Sequence, residues 1–215
     1  MKSILCFGDS LTWGYNPSNS QRHAFDIRWP GAMQNALGHS YRVIEAGLNG
    51  RTTVHDDPYI NDEAQNGAKV LPIYLESNLP LDLVIIMLGT NDLKARFGSS
   101  ANEISQGVAS LVRKTLSSGT GPSGKAPKVL LLSPPHIGRT EHFMDTIFDG
   151  QKQVSLELAK HYQVVAEFYQ VDFLDTANFI EAAKGEGIHL DEEANLALAK
   201  ILADKVQSIL NGESS

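Results

Sequence analysis

The chain has 215 residues, 42% of them hydrophobic, a formal charge of −7 and one cysteine. That is enough apolar material for one core in a single domain over residues 1–215. The acidic balance argues against nucleic acid as a partner, and the single thiol allows no intrachain disulfide.

The first apolar, β-rich run, residues 3–7, contains Cys6, which reads as a buried core thiol. After Met1-Lys2 this run is too short for the core of a secretory signal, and no later run approaches the ~20 apolar residues of a membrane span. A cytoplasmic protein with no membrane partner is expected. A helix over 29–37, a strand over 42–45 and a helix over 68–77 follow, then a strand over 83–88 that reads LVIIML without alternation. Beyond it lie a helix over 101–116, a Gly/Ser/Pro-rich surface loop over 117–127 and a strand over 129–132. A helix over 143–161, a strand over 164–168 and a helix over 191–210 complete the order, the last opened by Asp191, Glu192 and Glu193 at the positive end of its dipole. Strands alternating with helices, and strands unbroken by polar residues, predict a parallel sheet covered on both faces.

Open α/β sheets bind ligands at the carboxyl ends of their strands, so the polar segments after the strands are where chemistry is expected. These are Gly8-Asp9-Ser10-Leu11, Gly47-Leu48-Asn49-Gly50 and Gly89-Thr90-Asn91-Asp92. A serine hydroxyl needs a base to take its proton, and a histidine base needs an acid to orient it. His189 has the best context of the seven histidines: it follows Gly185-Glu186-Gly187-Ile188 and precedes the last helix. Glu186, three positions upstream, can reach its imidazole within one turn. Ser10, His189 and Glu186 are the candidate catalytic unit. The N–H of Ser10, the N–H of Gly50 and the side-chain amide of Asn91 are the candidate oxyanion donors. Trp13, just past the serine, is the candidate pocket wall.

Gly8-Asp9-Ser10-Leu11, Gly50, Gly89-Thr90-Asn91-Asp92 and Gly187-Ile188-His189-Leu190, in that order, resemble the Ser, Gly, Asn and His blocks of the SGNH (GDSL-type) hydrolases. The longer stretches GDSLTWG, EAGLNGRTT, DLVIIMLGTND and APKVLLLSPP resemble the aryl esterase branch, whose members also perform acyl transfer and perhydrolysis. The resemblance implies a flavodoxin-like three-layer α/β/α sandwich with a five-stranded parallel sheet. It also implies short-chain acyl esters as substrates, no metal or other cofactor, and a homo-oligomer. The sequence departs from the family at one point: Glu186 stands where the family usually has Asp, so the loop sits farther back or another acid such as Asp191 takes the role.

Several features invite other readings. His23, His55, Asp56 and Asp57 lack metal-ligand spacing. Gly119-Thr120-Gly121-Pro122-Ser123-Gly124-Lys125 matches most of a phosphate-binding loop, but Ala126 stands where Ser or Thr should hold magnesium, and a strand follows instead of preceding it. Asp9 reads as a brace of the serine turn, and His136 as pocket wall or solvated loop. A thioesterase or carbohydrate deacetylase would use the same triad, whereas a silent binding module would leave Ser10 unreactive. Loops over 15–26 and 136–145 are expected to shape the substrate pockets.

Overall fold

A computed structural model describes residues 1–141 and 143–212; His142, within the 136–145 loop, and residues 213–215 lie outside the described residues. The strands are β1 (Lys2–Gly8), β2 (Tyr41–Gly47), β3 (Leu83–Met87), β4 (Lys128–Ser133) and β5 (Asp172–Asp175). They form one sheet in the order β2-β1-β3-β4-β5, every neighbouring pair parallel. Successive side chains of a strand point to opposite faces, so each inner strand divides its residues between two cores. Leu5, Phe7, Val84, Ile86, Val129 and Leu131 face one cluster; Ile4, Cys6, Ile85, Met87, Leu130 and Leu132 face the other.

The first cluster is covered by α3 (Gly67–Ser77), α4 (Ala101–Leu116) and α6 (Lys152–Tyr169), through Leu71, Val108, Leu111 and Leu158. The second is covered by α2 (Trp29–Leu37) and α7 (Glu192–Asn211), through Trp29, Met33, Leu198 and Leu202. The result is the three-layer α/β/α sandwich with a five-stranded parallel sheet. Two shorter helices, α1 (Ser10–Trp13) and α5 (Phe143–Ile147), lie in the connections that follow β1 and β4. Cys6 is fully buried, and desolvation pushes its thiol pKa well up, which suits a packing role. Among the described residues no helix is long and apolar enough to cross a membrane.

Two expectations are corrected. Residues 164–168, expected as the fifth strand, belong to α6, where Val164 and Phe168 are exposed one turn apart. Their β-branched and aromatic composition mimicked a strand, but the helix continues through them until Gln170 adopts a left-handed conformation. The true edge strand, Asp172–Asp175, is four residues bounded by carboxylates. The helix expected over 143–161 is two, α5 and α6, with Gly150 at φ +71° in the break between them.

In this strand order the connections depart in opposite directions from β1 and β3, leaving a crevice at their carboxyl ends. Ser10 follows β1 and Asn91 begins the turn after β3, so the topology brings both to that crevice.

Candidate active site

Ser10 is the first residue of α1, reached by a sharp turn out of β1. The Asp9 carboxylate caps this short helix by accepting the Leu11 N–H at 2.9 Å. Beneath the turn, fully buried Arg51 donates from one guanidinium nitrogen to the carbonyls of Gly8 and Ala46, tying together the ends of β1 and β2. Its guanidinium carbon lies 4.3 Å from the Phe7 ring centroid.

His189 arrives from the opposite end of the chain. Its Nε2 lies 3.0 Å from Ser10 Oγ, and its Nδ1 lies 2.7 Å from Glu186 Oε1. The second Glu186 oxygen accepts the backbone N–H groups of Ile188 and His189 at 2.9 and 2.7 Å. One carboxylate therefore folds the loop and faces the ring, which is how the longer side chain is accommodated. Gly187 makes the turn possible: its φ is +81°, and a Cβ there would come within 2.5 Å of the Arg139 carbonyl oxygen. Burial works to raise the Glu186 pKa, but the bond and charge of His189 and the two backbone donors outweigh it, so the carboxyl lies below its ordinary value. Asp191, the alternative acid, is instead the N-cap of α7 and accepts the Ala194 N–H at 2.9 Å. A proton on Nδ1 satisfies Glu186 and leaves Nε2 free to accept from Ser10, the arrangement a general base requires.

Ser10, Gly50, Asn91 and His189 line one cavity of about 220 Å³. Among the described residues, neither the Ser10 N–H nor the Gly50 N–H has an acceptor. The Asn91 amide makes one side-chain bond, a 3.4 Å contact to Asp9 Oδ2, which leaves its second N–H free. Gly50 has φ +82°, and a Cβ there would meet Ile60 on the cavity wall at 2.8 Å. Asp92 points away from the cavity, and its carboxylate accepts the Thr53 N–H and hydroxyl, which fixes the turn carrying Asn91.

Trp13, expected on the pocket wall, does not line this cavity; the turn of α1 carries its ring away to lie 5.2 Å from the Arg22 guanidinium. Tyr15 takes the wall position, with its ring centroid 4.2 Å from that of His189. The rest of the wall is mostly apolar: Ile60, Met144, Ile147, Phe148 and Ile188, with Lys94 as the cationic exception. Tyr15 and Met144 fall in the loops over 15–26 and 136–145 that were expected to shape the pocket, but the other wall residues were missed, because the wall is assembled from separate loops. Among the residues missed, the basic Lys94, one turn after Asn91, carried the only signal. His136 does not line the cavity.

The residues weighed as a metal cluster have other partners: His55 stacks on Phe97 at 4.6 Å, and His23 Nε2 lies 3.3 Å from the Leu190 carbonyl. Asp56 pairs with Lys69 and Asp57 with Lys94 and Arg96.

Burial dominates at Asp9 and raises its carboxyl pKa from 3.8 to about 6, despite the opposing Leu11 bond and the charge of His189. A raised carboxyl favours the fold while protonated, so its contribution is complete below about pH 3.8 and is lost as pH rises through about 6. Thermal unfolding of Asp9→Asn beside wild type should show the variant gaining relative stability across that window, on the order of 2–3 kcal/mol. Parallel stability curves from pH 4 to 8 would contradict this.

A doubly covered parallel sheet with a hydroxyl, an imidazole and a carboxylate in line at its switch point is the architecture of a serine hydrolase. The chain belongs to the GDSL-like lipase/acylhydrolase family, whose pattern matches residues 6–196. It is 45% identical to the aryl esterase of M. smegmatis, with a TM-score of 0.93 over 98% of this chain and 100% of the other. It is 43% identical to a carbohydrate acetylesterase from Sinorhizobium meliloti, with a TM-score of 0.92 over 97% of this chain and 100% of the other. A curated relative, an acetylxylan esterase of Xylanibacter ruminicola, is 25% identical over 95% of this chain; the chain spans 43% of that relative's length.

Proposed function

We propose that this esterase hydrolyses short-chain acyl esters through an acyl-enzyme on Ser10. Ser10 Oγ attacks the ester carbonyl as His189 Nε2 takes its proton, and Glu186 stabilises the imidazolium that results. The oxyanion is held by the Ser10 N–H, the Gly50 N–H and the Asn91 amide. His189 then returns the proton to the leaving alcohol. Water, deprotonated by the same base, attacks the acyl carbonyl and releases the acid and the serine. One observation carries the reading: a single cavity is lined by a hydroxyl 3.0 Å from an imidazole and by Ser10 and Gly50, whose backbone N–H groups have no acceptor among the described residues.

The test is incubation with phenyl acetate and mass analysis of the trapped protein. An acetyl increment on the peptide containing Ser10, together with acetate release, supports the reading; turnover with the increment elsewhere, or no turnover, overturns it. Because the cavity wall is mostly apolar, the acyl-enzyme would also transfer its acyl group to alcohols or hydrogen peroxide in competition with water. Running the same assay with added ethanol should give ethyl acetate beside acetate.

Asn91→Ala should lower kcat by roughly 10²–10³ with little change in KM, because the amide acts on charge that develops only in the transition state. A loss confined to KM would move Asn91 from oxyanion stabilisation to substrate binding.

A second reading, removal of acetyl groups from carbohydrates by the same triad, is favoured by the likeness to the carbohydrate acetylesterase and the acetylxylan esterase. Comparing kcat/KM for acetylated xylose and phenyl acetate separates the two.

A further inference from the structure

Lys94 stands out on the cavity wall. It is 5% exposed and comes from the 3₁₀ turn that begins at Asn91, with its N–H donating to the Asn91 carbonyl at 3.2 Å. Its ammonium carries three N–H donors, and among the described residues it has one acceptor, Asp57 Oδ2 at 3.0 Å. That same oxygen also accepts from Arg96 at 2.5 Å, so one carboxylate is divided between two cations. Asp9 attracts Lys94 from a distance, but the Asp9 oxygens are engaged by Leu11 and Asn91 and give it no hydrogen bond. Buried polar groups are normally satisfied, and a buried ammonium with spare donors is costly unless an acceptor reaches it. Apart from Asn49, whose buried Oδ1 has no partner among the described residues, the other side chains of the wall that neither belong to the candidate triad nor hold the oxyanion are mostly apolar, so Lys94 is the one cationic donor on it.

We propose that Lys94 is a specificity-determining residue that receives an anionic oxygen of the substrate. Esters carrying a carboxylate within a few bonds of the scissile carbonyl are then preferred over neutral analogues of the same shape. The inference rests on the esterase reading of the same cavity. It assigns Lys94 no part in proton transfer: the ammonium donates to the carboxylate of the bound ester while Ser10 and His189 carry the reaction. Charge-assisted hydrogen bonds are the stronger class, and one made by a desolvated ammonium to a carboxylate is worth roughly tenfold or more in kcat/KM.

Two pairs of small esters test it in the intact protein. O-acetylglycolate against 2-acetoxyacetamide places the charge on the alcohol side; methyl hydrogen malonate against methyl malonamate places it on the acyl side. Each rate is divided by the ester's own hydroxide-catalysed rate to remove intrinsic reactivity. The expected result is a preference of about tenfold for the anionic member of at least one pair. Lys94→Met should abolish it, while Lys94→Arg should keep part of it. Equal rates within both pairs in wild type overturn the proposal, and so does a preference that survives in Lys94→Met. If Lys94→Met does not fold, the wild-type ratios decide, supported by Lys94→Arg. The neutral esters are the internal control: their hydrolysis upholds the esterase reading whatever the ratios show, and failure of all four esters and of phenyl acetate counts against that reading instead.

Discussion

Ser10→Ala should lower kcat for phenyl acetate by roughly 10⁶ while leaving the fold intact, the scale seen when a serine-hydrolase nucleophile is removed. The Ser10 side chain enters the packing through a single oxygen, so its loss leaves no sizeable void. Asp9 still caps α1 through the Leu11 N–H at 2.9 Å, so the turn should hold its shape. On the proposed mechanism, what disappears is the acceptor of the acyl group. His189 keeps its contact with Glu186 but has no serine proton to take. Since the N–H groups of residue 10 and Gly50 and the Asn91 amide stay in place, a residue of catalysis over water, about 10³–10⁴, should survive by stabilising direct attack. The measurement is kcat for wild type and variant, with matching circular dichroism. A folded variant that kept more than about a hundredth of wild-type kcat would show that Ser10 is not the nucleophile, since such a level exceeds anything the remaining donors supply.

His189→Ala should fall nearly as far, because nucleophile and base act as a unit and their losses do not add.

The site was legible in the sequence to the extent that its residues lie beside strand ends. Ser10 and Asn91 each lie within four residues of the end of an apolar strand, and a parallel sheet with this strand order leaves a crevice between β1 and β3. Glu186 and His189 were legible because three residues span one turn. The pocket wall was legible only in part, through the loops over 15–26 and 136–145 that hold Tyr15 and Met144. Met144 and Phe148 come from the connection after β4, Ile60 from a loop stapled by Asp57, and Tyr15 from the turn after α1. Nothing local marks an apolar loop residue as facing a cavity instead of a core, which is also why Trp13 was misplaced. The fold lost legibility at one edge, where a helix ended in strand-like residues and the strand after it was short and acidic. Periodicity identifies elements by what they bury, and an edge strand buries little.

Glu186→Gln should keep the fold yet lower kcat by about 10⁴, and the geometry says which way the amide turns. In the native protein Oε2 accepts two backbone N–H groups, from Ile188 and His189, while Oε1 faces the single Nδ1 position. A glutamine has one oxygen to offer. The two backbone donors cannot change character, so they claim it, and the amide nitrogen is left facing Nδ1. The ring must then accept at Nδ1 and carry its proton on Nε2, where it opposes the Ser10 hydroxyl 3.0 Å away instead of receiving its proton. The nucleophile stays in place but is no longer activated. The loop keeps its turn because the backbone bonds persist, so KM should change far less than kcat. Nitrogen chemical shifts of the His189 ring would report the tautomer directly, with the proton on Nδ1 in wild type and on Nε2 in the variant. Glu186→Asp provides the contrast. Its shorter carboxylate keeps both acceptors but cannot span the backbone and the ring together, so it should lose less than Gln by weakening a contact instead of reversing a proton. If Asp instead lost more than Gln, reach and not tautomer would be what Glu186 supplies.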